Sequence, residues 1–73
     1  MFAAAHVEPY QSRVLEERDQ LRDRWKQLTL FIGSETYARL RSDEQRRLVC
    51  QQHIMSIYLN ILEERIAAWP PLS

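Results

Sequence analysis

A single glycine and three prolines are all the chain-breaking residues in this 73-residue sequence. So little turn chemistry leaves little room for loops. One cysteine, Cys50, excludes an internal disulfide and a cysteine-based zinc site, and it points to a reducing compartment. Ten basic and ten acidic side chains cancel, which argues against a general coat for a DNA or RNA polymer. No apolar run approaches the roughly 18 residues of a membrane span. The segment Met1 to His6 is too short for a signal peptide. Internal repeats and low-complexity tracts are absent. So are a nucleophile elbow, a Walker loop, an HExxH pair and a glycine-rich phosphate cradle. His6 and His53 lie far apart with no carboxylate at ligand spacing. The expectation is a binding protein with no catalytic set, metal or cofactor.

What the sequence does contain is helical periodicity. Hydrophobic residues make up 45% of the chain, too many for disorder. Leu48, Gln52, Met55, Leu59, Leu62, Ile66 and Trp69 recur at steps of four and three, an a/d seam held for about three heptads. Beside it runs a second seam: Gln51, Ile54, Tyr58, Ile61 and Arg65. An earlier helix carries the register Val14, Leu21, Trp25, Leu28 and Ile32, with Arg18 in the remaining slot. Pro9 suits its first turn. Gly33 follows its end and can take the left-handed conformation that closes helices. Ser34 can cap a short turn through Leu40, with Tyr37 and Leu40 folding back on the hairpin mouth. Ser42-Asp43-Glu44-Gln45 has the pattern of a capping box. The last helix runs to about Trp69 and stops at Pro70-Pro71.

These signals predict an all-α fold. A flexible arm over residues 1–8 precedes a helical hairpin over 9–69, and 70–73 form a tail. The hairpin is antiparallel, two long helices of roughly 35 and 40 Å joined by a short connecting helix. A helix with two apolar stripes needs two partners, and the chain supplies one. A homo-oligomeric helical bundle is therefore expected, a usual remedy at this size.

The charges on the first helix are sorted. Arg18, Arg22 and Lys26 form one row, and Asp19 and Asp23 a neighbouring one, although like charges at i,i+4 are mutually unfavourable. Each base either pairs diagonally with an acid, such as Asp19 with Arg22 or Asp23 with Lys26, or the row faces an anion held between subunits. Arg65 stands in the second seam. It either pairs with Glu63 or Glu64 of a neighbouring chain or holds a phosphate through its planar fork. Trp25, Tyr58 and Trp69 read as core residues. Tyr10, beside Arg13, either stacks on a nucleobase or staples another subunit. Cys50 reads as a small buried apolar residue. Glu8, Glu16-Glu17 and Glu63-Glu64 read as solvated surface. Phe2 and Phe31 give no firm signal.

One frame combines these positions: Tyr10-x-x-Arg13-Val14-x-x-Glu17-x-x-x-Leu21, Leu28-Thr29-x-Phe31-Ile32, Gln45-x-x-Leu48-x-x-Gln51, and Met55-x-x-Tyr58-x-x-Ile61-Leu62-x-x-Arg65-Ile66-x-x-Trp69. It resembles a phage-encoded helical-hairpin family that includes anti-CBASS sponges for cyclic oligonucleotides. A similar hairpin occurs in anti-Thoeris sponges for cyclic ADP-ribose isomers. The resemblance covers nearly all of residues 10–69. It implies a compact homohexamer, a trimer of dimers, acting in the cytoplasm of an infected bacterial host. It implies cyclic dinucleotide pockets between subunits and separate cyclic trinucleotide pockets near a three-fold axis. Tyr10 matches the base-stacking aromatic, with Arg13 and Trp25 beside the same pocket. Lys26 would fill the role of the mid-helix base that meets the phosphates. Thr29 and Arg65 resemble the hydroxyl and guanidinium of the trinucleotide pocket. In one antiparallel hairpin that pair should lie roughly 35 Å apart, so it could meet only across protomers. The rival expectation is a helical protein–protein interaction module with no nucleotide ligand.

Overall fold

Three helices account for nearly all of residues 8–70, the part of the chain that the computed structural model describes. They are α1 (Pro9–Ile32), α2 (Glu35–Ala38) and α3 (Ser42–Ala67); no strand occurs among the described residues. The helix α1 begins at Pro9, where a missing N–H is harmless. The Glu8 N–H donates to the Gln11 side-chain oxygen at 2.9 Å, tying down the entry. Two features of the expected turn chemistry turn out differently. Gly33 has φ −87° and ψ 5°, outside the left-handed region. The end of α1 tightens instead, with Gly33 N–H donating to Leu30 O and Ser34 N–H to Phe31 O. Ser34 then caps α2 by accepting from Tyr37 N–H. The chain passes from one helix into the next without a reversal that would require a positive φ.

The second difference is the Ser42–Gln45 box, which does not form. Arg41 is the N-cap residue of α3 and makes no side-chain cap bond. Gln45 reaches back to the connecting helix, its amide donating to Tyr37 O at 2.9 Å. The Tyr37 hydroxyl donates to Gln45 O at 3.3 Å, and the Tyr37 ring meets Phe31 edge-on. A tertiary partner has taken the side chain that the box would need. Asp43 and Glu44 still occupy the first turn, where the helix dipole favours acids. At the far end α3 stops at Ala67, two residues before the predicted Trp69, because Trp69 N–H closes a tighter turn onto Ile66 O.

The two long helices pack along the first seam as the a/d pattern requires. Val14, Leu21 and Leu62 are buried, and Met55, Leu59, Ile66 and Trp69 pack against them. The molecule measures 54 × 20 × 15 Å, so it is one helix deep. Only a line of residues can be interior in such a shape. The second seam is the consequence: Gln51, Ile54, Tyr58, Ile61 and Arg65 are all exposed. Ile54 is 66% exposed, Ile57 60% and Ile61 47%. Tyr58, expected in the core, is 41% exposed, and its hydroxyl donates to the Glu17 carboxylate. Cys50, also expected to be buried, faces solvent. It lies three residues after Arg47 and four before Ile54, on the flank of α3 that α1 does not cover. The expected arm and tail lie outside the described residues except for Glu8 and Pro70.

Candidate functional site

Cross-helix contacts set the hairpin's register. Arg18 Nη1 donates to Glu63 at 3.0 Å and Arg22 Nη2 to the same carboxylate at 2.5 Å. Gln52 donates to the Thr29 hydroxyl at 2.9 Å, and that hydroxyl donates to Trp25 O at 2.8 Å. Tyr10 and Trp69 meet edge-on with centroids 6.3 Å apart. Residues whose numbers add to about 80 therefore face each other.

These contacts fall on two flanks of the seam. On one, Tyr10, Arg13 and Glu17 recur at i, i+3 and i+7 along α1, and Tyr58, Arg65 and Trp69 at i, i+7 and i+11 along α3. Each set shares a helix face. The Tyr10–Trp69 and Tyr58–Glu17 contacts join them. Arg13 and Arg65 are thus bracketed on one side at the hairpin's open end. Both are exposed and form no ion pair among the described residues. Tyr10 is 47% exposed, leaving a ring face for a stacked partner. The exposed Ile54 and Ile61 continue this flank toward the middle of α3.

The other flank carries the basic row. Arg18 and Arg22 converge on Glu63, and Arg18 Nε also donates to Asp19 at 2.7 Å. This corrects two expectations. Glu63 is the centre of an ion cluster and not solvated surface. The acid that balances the row comes mostly from α3, and neither Asp19–Arg22 nor Asp23–Lys26 pairs; Asp23 accepts from Gln27 instead. Sequence spacing alone favoured the intrahelical partners because the cross-helix register was not yet known. The Arg22 hydrogen bond, reinforced by Arg18, holds the Glu63 carboxyl below the usual carboxylate range against the cost of desolvation. The hydrogen bond that Arg18 donates to Asp19, with help from Glu63, raises Arg18 further above its already high value. Lys26, one turn beyond Arg22, is exposed with no ion pair among the described residues.

The sites named from sequence are therefore regrouped. Tyr10 and Arg13 lie together, but Lys26 is about 24 Å along α1 from Tyr10 and on the opposite flank. Trp25 is half-buried on the seam, and its indole N–H is buried without a partner among the described residues. Thr29 and Arg65 are on opposite flanks. With Thr29 bonded to Gln52, Arg65 stands thirteen residues on, about 20 Å along the axis. The expected 35 Å was too long because it measured the pair against the helix ends and not against their true register. Among the described residues there is neither a pocket nor a cluster of metal-ligand side chains. Tyr10, Arg13, Lys26 and Arg65 are on an open surface, while Trp25 and Thr29 are half-buried.

The profile of the family described as Sequestin matches residues 8–68. The chain belongs to the Sequestin family. The match spans α1 through α3 and both flanks of the seam, and it accords with the resemblance to helical-hairpin sponges. No curated protein and no solved structure matches the chain. The family name points to sequestration. None of the helices is long and apolar enough to cross a membrane.

Proposed function

We propose that this Sequestin chain is a phage-encoded sponge that binds cyclic dinucleotides, and cyclic trinucleotides at a second site, and so blocks CBASS-type signalling in the host cytoplasm. The observation that carries the reading is the pair of groups on opposite flanks of the hairpin, the exposed Tyr10, Arg13 and Arg65 on one and the basic row ending in the exposed Lys26 on the other, on a hairpin without a pocket among its described residues. A binding protein with no interior holds its ligand between copies. In the homohexamer the exposed α3 stripe provides subunit contacts. A cyclic dinucleotide presents two bases and two phosphates, and a two-fold interface presents each side chain twice. Tyr10 and Arg13 of one protomer then meet Lys26 of another, with Trp25 beneath. Thr29 and Arg65 take the trinucleotide from different protomers, since one hairpin holds them on opposite flanks. The chain acts stoichiometrically, without catalysis or cofactor.

Thermal shift and calorimetry with a panel of cyclic di- and trinucleotides test this reading, run beside light scattering. A ligand at 100 times its Kd that binds only the folded state adds about 2.7 kcal/mol. A hexamer that binds none of the panel overturns the reading. The exposed Ile54, Ile57, Tyr58 and Ile61 favour one rival, a module that docks on another protein. That rival expects a monomer which binds no nucleotide.

A further inference from the structure

The basic row on α1 is an anion site that already holds an anion. Arg18 and Arg22 each donate to a different oxygen of the Glu63 carboxylate, as two guanidiniums would hold two oxygens of a phosphodiester. The clamp is only partly shielded: the Arg22 side chain is 41% exposed and that of Glu63 40%. Arg18 is further engaged by Asp19. Arg18 and Arg22 are paired with Glu63 and Asp19, and Lys26 is the cation of the row without an ion pair among the described residues.

We propose that Glu63 is a resident competitor in this row: it occupies Arg18 and Arg22 in the unliganded hairpin, so that an incoming phosphate meets Lys26 first and must share or displace the carboxylate to reach the guanidiniums. This rests on the reading that the row meets ligand phosphates. The device sets selectivity. A singly charged phosphodiester can be held by Lys26 and a part-released Arg22. Small inorganic anions, which lack bases to stack elsewhere, do not repay opening the clamp and are rejected. A sponge in a phosphate-rich solution needs that discrimination.

The experiment compares wild type, Glu63→Gln and Glu63→Gln/Lys26→Gln, with inorganic pyrophosphate and cyclic di-AMP as probes, by calorimetry at low and high salt. Circular dichroism monitors folding. Removing a like charge about 6 Å from a bound anion in water strengthens binding by a factor of about three. Glu63→Gln should bind cyclic di-AMP about threefold more tightly and pyrophosphate, which carries more negative charge, by a larger factor. The gain should shrink at high salt, and Glu63→Gln/Lys26→Gln should bind both probes more weakly than Glu63→Gln. Equal or weaker binding by a Glu63→Gln protein of wild-type helicity overturns the inference. If Glu63→Gln unfolds, Glu63→Asp keeps the charge on an arm too short to span both guanidiniums. It should show a smaller gain, and unchanged pyrophosphate binding overturns the inference. A wild type that binds no cyclic dinucleotide overturns the sequestration reading, while the pyrophosphate arm still decides the role of Glu63.

Discussion

Replacing both Ile54 and Ile61 by glutamate should take the assembly apart and leave the hairpin folded. Neither residue belongs to the buried core of Val14, Leu21 and Leu62, and both are far from covered in the single chain, at 66% and 47% exposure. Fully burying such a side chain is worth about 1.5–3 kcal/mol. The exposed fractions of the two together amount to roughly one side chain, so their burial contributes about 2–3 kcal/mol per chain. A two-fold contact uses the patch twice, for about 4–6 kcal/mol per pair, or a factor of about 10³–10⁴ in the dissociation constant. Burying glutamate there adds a further desolvation cost. Light scattering and sedimentation across a concentration series should show a multimer for wild type and a monomer for the variant, with helicity retained in circular dichroism. A wild type that stays monomeric at micromolar concentration refutes the argument from the exposed stripe. So does a variant with unchanged mass.

Tyr10→Ala removes a stacking face worth about 1–3 kcal/mol per base, and Lys26→Ala removes a charge-assisted phosphate bond of roughly 1.5–3 kcal/mol. Each should weaken cyclic dinucleotide binding at least tenfold in calorimetry with the oligomer intact. Arg65→Ala should abolish trinucleotide binding and spare dinucleotide binding; loss of both together with the assembly would instead give Arg65 a structural role. Gly33→Ala should be tolerated or stabilise by about 0.4–1 kcal/mol, because φ is −87° and an added Cβ meets only Leu30 O at an ordinary 3.7 Å; a clear drop in melting temperature would contradict this. The carboxyl of Glu63 is held below its ordinary range, so its contribution to stability is present above that range and is lost as pH falls through the depressed value. The acid-side decline in melting temperature should therefore be shallower in Glu63→Gln than in wild type.

The parts of the fold legible in the sequence were those fixed by period. Leu48 through Trp69 repeat at a/d spacing, and that repeat leaves only one way to lay α3 on α1. The exposure of Ile54 and Ile61 followed from the same count, since one helix cannot cover two stripes. What the spacing did not carry was register across the turn. The Glu63 clamp joins residues more than forty positions apart, and no local pattern marks which carboxylate lies opposite Arg18. A signal was available: Arg18 occupies an apolar slot, so its charge had to be met from the facing helix. The capping-box pattern at Ser42 misled for the same reason, because Gln45 bonds across the turn to Tyr37. Tyr58 read as core because aromatic residues at helical spacing usually are, but its seam is the one without an intramolecular partner.

The aromatic contact at the open end makes the molecule report on itself. The chain has two tryptophans, and they stand in different settings. Trp69 lies with its ring centroid 6.3 Å from that of Tyr10, close enough for excitation of the tyrosine to pass to the indole. Trp25 sits on the seam with its N–H shielded from water. A base that stacks on Tyr10 would quench the pair and alter that transfer, while Trp25 would keep a blue-shifted emission as long as the helices stay together. With Trp69 replaced by phenylalanine, the remaining indole of Trp25 gives, in the absence of ligand, an unlabelled optical readout of the integrity of the hairpin.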